Sequence, residues 1–171
     1  MKKLLILFIL FSLLLSGCGL YNLNNFVLPD DTKFLALIQE LDTPEKIGKY
    51  MLKNFKTELH SGIPLTPHQL YLSQKGDCDD FSTFFIFIAN YHGYETYQIR
   101  ILFATYVYGY PVYHLIPIFK ENNCYTFSEN QYYNPYGQYY NSFKNIMQIY
   151  HGWVSYSVYD YDNNLIEQAT K

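Results

Sequence analysis

The sequence predicts an α+β domain in which helices come first along the chain and antiparallel strands follow. Thr43-Pro44 and Thr66-Pro67 each have the form of a helix N-cap followed by proline at the first helical position. From Tyr97 to Phe103, large apolar residues recur at every second position, which is the period of a β-strand. The 171 residues are near the commonest size for one domain, so one packed core is expected.

The first 17 residues have the composition of an export signal. Lys2 and Lys3 precede an apolar stretch that ends at Leu15-Ser16-Gly17-Cys18, and this order matches the basic, apolar and small-residue parts of a signal peptide. The apolar run is too short for a stable membrane span. Its ending resembles the bacterial lipoprotein signal, which implies removal of residues 1–17 and lipid on Cys18. The alternative is an ordinary secretory signal with an unmodified Cys18. Both place the domain outside the cytoplasm, and lipid on Cys18 would anchor it to a membrane of the cell envelope.

The remaining chain is acidic and divides into three segments. Without Lys2 and Lys3, the 12 basic residues fall to 10 against 15 acidic ones, a balance that does not favour nucleic acid as a partner. Residues 18–42 are expected to form a tether and a first helix capped by Asp31 or Thr32. The core is predicted over 43–135. A C-terminal helix and hairpin, 136–171, should extend the same domain.

A cysteine begins the most apolar predicted helix. In the segment Gly76-Asp77-Cys78-Asp79-Asp80-Phe81, Asp77 can cap the helix and Cys78 falls in its first turn. A thiol at the positive end of a helix dipole loses its proton easily. The run 81–89 is apolar nearly all round, so the helix should be buried. The alternative is a structural cysteine that happens to begin a core helix.

The base for such a thiol is His114, which is predicted to open the second strand. Asn122-Asn123 should form a hairpin turn, followed by a third strand to about Glu129. A two-residue turn places Glu121 opposite Cys124 and puts Glu129 on the same face as His114, diagonally next to it. A three-residue turn puts Ser128 on that face instead and Asn130 opposite His114.

Two spare cysteines in an exported protein also suggest a disulfide between Cys78 and Cys124. Six strand rises of about 3.3 Å separate Cys124 from the neighbourhood of His114, roughly 20 Å. A Cys78–His114 pair and a Cys78–Cys124 disulfide therefore exclude each other. Pro117 lacks an N–H, so one side of the second strand is expected to be unpaired there.

The order of cysteine helix, strand, histidine strand and returning strand resembles the transglutaminase-like superfamily. The segment around Cys78 is similar to the motif of its bacterial cysteine-peptidase branch, and the resemblance covers roughly 43–131. It implies a papain-like fold in which Cys78 is the nucleophile and His114 its base. The family's third member is an aspartate, whereas the aligned position here is Ser128. Glu129 is the best chemical replacement, and Asn130 serves if the turn is longer.

The resemblance also implies a metal site. Asp77 and Asp79 match positions that bind calcium in some peptidases of this branch, although no cofactor is required for the thiol chemistry. The alternative is that Asp77 caps the helix and Asp79 is solvated. His60, His68, His92 and His151 have no partner pattern and are left out of the predicted site.

Three functions remain open from the sequence. The first is a membrane-anchored cysteine peptidase or amidase, a hydrolase of peptide or protein substrates outside the cytoplasm, with crosslinking to an amine as the variant reaction. The second is a lipid-tethered binding module that keeps the fold without turnover, as the missing aspartate and the tyrosine-rich loop suggest. The third, a structural lipoprotein, requires the match at Cys78 and His114 to be accidental.

Overall fold

The computed structural model describes residues 22–60, 63–107 and 110–171. The expected signal peptide, Cys18 and the start of the tether lie outside these ranges. The fold is mixed α+β with an antiparallel sheet, as the sequence predicts. Among the described residues, none of the helices has the length and apolar character to cross a membrane.

In the part of the chain that the structure describes, four α-helices precede the large sheet, and the N-caps of the first three follow the predicted signals. The Asp31 carboxylate accepts the N–H groups of Lys33 and Phe34, and Thr43 and Thr66 cap the next two helices through their side chains. A short 3₁₀ helix, Leu23–Asn25, comes before them. The four are α1 (Thr32–Glu40), α2 (Pro44–Asn54), α3 (Pro67–Ser73) and α4 (Cys78–Tyr91).

A two-stranded parallel pair lies between these helices and leads the chain into α4. Its strands are β1 (Lys56–Thr57) and β2 (Lys75–Gly76). Because β2 ends at Gly76, the residue before Asp77, this pair fixes the direction in which the chain enters the cysteine helix.

The large sheet has six strands in the order β6-β5-β4-β3-β7-β8, all paired antiparallel. A short helix, α5 (Phe143–Met147), lies between β6 and β7 in the chain. The C-terminal hairpin joins the sheet along β3. The strands are β3 (Thr96–Val107), β4 (Tyr110–Glu121), β5 (Cys124–Glu129), β6 (Tyr132–Tyr133), β7 (Trp153–Asp160) and β8 (Leu165–Thr170).

The prediction that His114 opens the second strand is wrong. Strand β4 begins at Tyr110, and His114 lies inside it, paired with Ile101 of β3. The pairing with β3 supports this part of β4 on one side, so His114 is held by the ladder rather than at a frayed strand end.

The two faces of the sheet cover two hydrophobic cores. The first contains the buried side of α1 to α4 and Phe119. The second contains alternate residues of the sheet, among them Ile99 and Ile101, together with α5. Gln98, which directly precedes Ile99, donates to Ser82 of α4, because successive strand residues point to opposite faces. Helix α4 is therefore enclosed, as its apolar sequence predicts.

The β4–β5 hairpin has the two-residue turn. Glu121 is opposite Cys124, and Asn122 and Asn123 have φ of 53° and 64°, the left-handed values that such a turn needs at both positions. The ladder stops at Ile118 opposite Phe127. Pro117 is the next residue of β4 and has no partner in β5, which confirms the expectation that one side of the strand is unpaired there.

Candidate functional site

The N-terminus of α4 is closed by Asp80. Asp77 holds the N-cap position but its side chain makes no cap hydrogen bond, contrary to the expectation, because the Asp80 N–H donates to Asp79 Oδ1 at 2.9 Å. The cap is made in the other direction, since the Asp80 carboxylate accepts the Asp77 N–H at 2.9 Å. The same carboxylate accepts the N–H of Leu65 at 2.6 Å and is fully buried. Asp80 therefore fixes both the first turn of the helix and the loop that passes over it.

Gly76 makes this arrangement possible. A Cβ at Gly76 would lie 2.6 Å from Asp80 Oδ2 and 2.9 Å from Leu70 Cδ1, which is closer than real side chains approach. Only glycine lets the Asp80 carboxylate fold back against the chain as it enters the helix. The Gly-Asp-Cys-Asp-Asp segment is thus a structural unit as well as a candidate site.

Cys78, His114 and Glu129 form a row. Cys78 is a free, partly buried cysteine, and its side chain lies close enough to the His114 ring to raise the pKa of that ring. His114 Nε2–H donates to Glu129 Oε1 at 2.7 Å. The imidazole thus lies between a thiol and a carboxylate, each contributed by a different element of the fold.

The environment of His114 favours its protonated form. Burial lowers the pKa of His114, but hydrogen-bond and electrostatic interactions with Cys78 and Glu129 outweigh it and raise the value to about 10. Burial alone would raise the pKa of Glu129, whereas the bond and the charge of His114 hold it below its usual value. The pair is therefore an imidazolium facing a carboxylate near neutral pH.

Glu129 is also bound on its other oxygen. The phenol of Tyr150 donates to Glu129 Oε2 at 2.6 Å, and this contact also helps to hold the pKa of Glu129 down. Tyr150 follows α5 and was not among the predicted site residues. The sequence carries no signal for it, because only the approach of α5 to β5 brings the two side chains together.

Ser128, the aligned third position, does not reach the imidazole. It is fully buried, and its hydroxyl has no hydrogen-bond partner among the residues that the structure describes. The two-residue turn places Glu129 on the face of His114, so its neighbour Ser128 points to the other face. Asn130, the third alternative, lies just beyond β5 with a φ of 51°.

A second cluster surrounds the start of α4. Potential ligand atoms of His60, Asp77, Asp79 and Asp80 all lie within 4.8 Å of one another. The predicted metal residues Asp77 and Asp79 are therefore close together, and Asp80 and His60 join them. The sequence carries no signal for His60, because it lies in an irregular segment 18 residues before Cys78, with no spacing pattern that connects the two.

The charges in this cluster act on one another. Burial, a hydrogen bond with Asp77 and the neighbouring carboxylates raise the pKa of Asp79 to about 8. The hydrogen bond from His60 Nε2–H to Asp80 Oδ2, at 2.7 Å, raises the pKa of His60 against the effect of burial. A cation at this place would stabilise the ionised form of Asp79 against the effects that raise its pKa.

The other histidines and Cys124 are placed elsewhere. His68 donates to Asp31 at 3.0 Å, and His92 donates to the Ile38 carbonyl at 2.8 Å, so both link helices. His151 is exposed. Cys124 is free, as Cys78 is, and its sulfur lies 3.7 Å from Asn141 Oδ1. The disulfide alternative is therefore not realised.

The row and the cluster meet at one helix end, since Cys78 lies between Asp77 and Asp79 in the chain.

A search with protein-family models found no match to this chain, and a search of curated proteins found none either. The geometry of the described residues is therefore the basis for a functional proposal.

Proposed function

We propose that the protein is a thiol acyl-transfer enzyme with a transglutaminase-like, papain-like core, acting as a cysteine peptidase or amidase. The observation that carries the proposal is the row in which the His114 ring lies beside Cys78, whose side chain raises its pKa, and donates to Glu129. A structural cysteine at a helix start needs neither neighbour. The arrangement matches the general requirement for an activated nucleophile, a base in contact with it and a third group that orients the base.

In the first half of the reaction, the Cys78 sulfur attacks the carbonyl carbon of an amide. The C–S bond forms, the carbonyl oxygen becomes an oxyanion, and the N–H of Cys78 at the helix start is a donor that can stabilise it. Because Nε2 of His114 is bound to Glu129, Nδ1 is the ring atom available to pass a proton to the leaving amine. The amine departs with that proton and leaves a thioester on Cys78.

In the second half, His114 accepts a proton from the incoming acceptor. Water then attacks the thioester carbon, the C–S bond breaks, and a carboxylic acid is released with the thiolate restored. An amine acceptor gives a new amide, which is the crosslinking variant. Hydrolysis is the proposed main reaction.

Glu129 takes the role for which Ser128 is unsuited. A carboxylate stabilises the imidazolium that forms during proton transfer, whereas a serine hydroxyl has no charge to do so. The short His114–Glu129 contact also fixes the plane of the ring. The missing aspartate at the aligned position is therefore compensated one residue later.

The proposed substrates are peptides or proteins outside the cytoplasm. Support comes from the export signal in the sequence and from the proposed lipid on Cys18, which would hold the domain at a membrane of the cell envelope. Calcium is proposed as an optional ligand of Asp77 and Asp79, because carboxylate oxygens are the ligands that it prefers. No step of the thiol reaction depends on it.

The test is acylation of the full-length protein with an activated ester, p-nitrophenyl acetate, followed by peptide mass spectrometry. We expect an initial burst of nitrophenol, acetyl on the Cys78 peptide and subsequent turnover. Cys124→Ala is the matched control and should behave as wild type, while Cys78→Ala should lose the burst. An unmodified Cys78 peptide in the folded wild type, without a burst of nitrophenol, would contradict the proposed enzymatic function and favour a binding module without turnover.

A further inference from the structure

The structure assigns a further residue to the candidate site: we propose that Tyr150 is a positioning residue that holds the Glu129 carboxylate in place against His114. The inference rests on the proposed function, because it concerns the same row of side chains. Tyr150 lies just beyond α5, on a part of the chain that the resemblance at the sequence level does not cover.

The first argument is the way in which Glu129 uses its two oxygens. Oε1 accepts from His114 at 2.7 Å, and Oε2 accepts from the Tyr150 phenol at 2.6 Å. A carboxylate held at one oxygen can rotate about its last bond. Because both oxygens of Glu129 are bound, its carboxylate has one orientation. The carboxylate in turn fixes the orientation of the His114 imidazole through their hydrogen bond.

The second argument is the packing of the Tyr150 ring. Its centroid lies 6.2 Å from that of His114 and 6.4 Å from that of Phe127. The phenol is therefore fixed by aromatic neighbours rather than by its hydrogen bond alone. Such preorganisation means that the bond to Glu129 costs little additional ordering.

The charged and titratable groups around this bond are few. Glu129 faces His114 from β4 and Tyr150 from the segment after α5, and His114 faces Cys78 from α4. Tyr136 and Tyr140 lie near the Tyr150 phenol. Since the phenol donates to the ionised carboxylate, its removal should make Glu129 easier to protonate and freer to turn.

The test measures alkylation of Cys78 in the full-length protein by iodoacetamide between pH 4 and pH 9, with the Cys78 peptide quantified by mass. Tyr150→Phe removes only the hydroxyl. We expect alkylation of Cys78 near pH 5 to fall about tenfold, equivalent to about 1.4 kcal/mol for one bond to a charged group. We also expect the acid limb of the profile, the range in which the alkylation rate of Cys78 falls as the pH is lowered, to move to higher pH.

Tyr133→Phe is the matched control. The Tyr133 phenol also donates to a glutamate, Glu121, at 2.6 Å, but this pair is not in contact with His114. The control should leave the Cys78 profile unchanged. In a Glu129→Gln background the shift of the acid limb caused by Tyr150→Phe should disappear, because Tyr150 acts through a carboxylate that is no longer present.

The outcomes separate the two proposals. If Cys78 is activated in wild type but Tyr150→Phe and Tyr133→Phe give the same pH profile of Cys78 alkylation, the role of Tyr150 is overturned and the proposed function is not. An unactivated Cys78 in wild type would overturn the proposed function. If Tyr150→Phe does not fold, 3-fluorotyrosine at position 150 gives a stronger donor and should move the acid limb to lower pH, and an unchanged profile would overturn the inference.

Discussion

Replacing Asp80 by alanine should weaken the protein more than any ordinary surface change. Its fully buried carboxylate accepts three hydrogen bonds, from the N–H of Leu65 at 2.6 Å, the N–H of Asp77 at 2.9 Å and His60 Nε2–H at 2.7 Å. Asp80→Ala leaves all three donors without their acceptor.

The expected loss in the free energy of unfolding comes from the two backbone donors. The His60 ring is left out of this sum, because it keeps partial access to water and can bind water instead. A bond to a charged group contributes about 1.5–3 kcal/mol, so the two together give about 3–6 kcal/mol. For a domain of this size, about 1 kcal/mol shifts Tm by about 2–4 °C. We therefore expect Asp80→Ala to lower Tm by on the order of 10 °C.

The assay is urea and thermal unfolding followed by circular dichroism. Asp42→Ala is the control, because Asp42 forms an exposed ion pair with Lys46 at 2.8 Å, and such pairs contribute little to stability. A loss of less than about 1 kcal/mol in Asp80→Ala would refute the view that Asp80 builds the start of the cysteine helix.

Two further predictions concern the loop histidine and the expected lipid. The bond to Asp80 raises the pKa of His60, so protonated His60 stabilises the folded protein. The difference in the free energy of unfolding between wild type and His60→Gln should therefore be largest below about pH 6.5 and shrink as the pH rises through the raised pKa. Urea unfolding in the presence of a chelator measures this difference, and a difference that grows with pH would be inconsistent with the prediction. Cys18→Ser should move the protein from the membrane fraction to the soluble fraction of cells that express it, and retention in the membrane fraction would show that lipid on Cys18 is not the anchor.

Local chemistry made most of the fold predictable. The caps at Asp31, Thr43 and Thr66 are set by side chains within three residues of the groups they bind, and the apolar run after Cys78 identified the buried helix. The sequence left two hairpin registers open. The two-residue turn forms, since asparagine tolerates the left-handed backbone that this turn requires at both Asn122 and Asn123.

The candidate site was only partly predictable, because some of its contacts depend on distant segments. Glu129 was accessible from the hairpin register, which relates it to His114 by alternation. His60 and Tyr150 reach the site from an irregular loop and from the segment after α5, and no spacing rule links either to Cys78. The strand β4 begins at Tyr110, four residues before the predicted start at His114, because residues 110–113 carry no alternation that distinguishes a strand from a loop.

The most direct measurement of the central claim is the alkylation rate of Cys78 relative to Cys124 in the same full-length protein at pH 6. Both are partly exposed free cysteines, so Cys124 serves as an internal reference of similar exposure. The account predicts that Cys78 reacts at least about tenfold faster in wild type and that His114→Ala removes the difference. Equal rates in wild type, or a fast Cys78 that is unaffected by His114→Ala, would contradict the claim that these two residues form an activated pair.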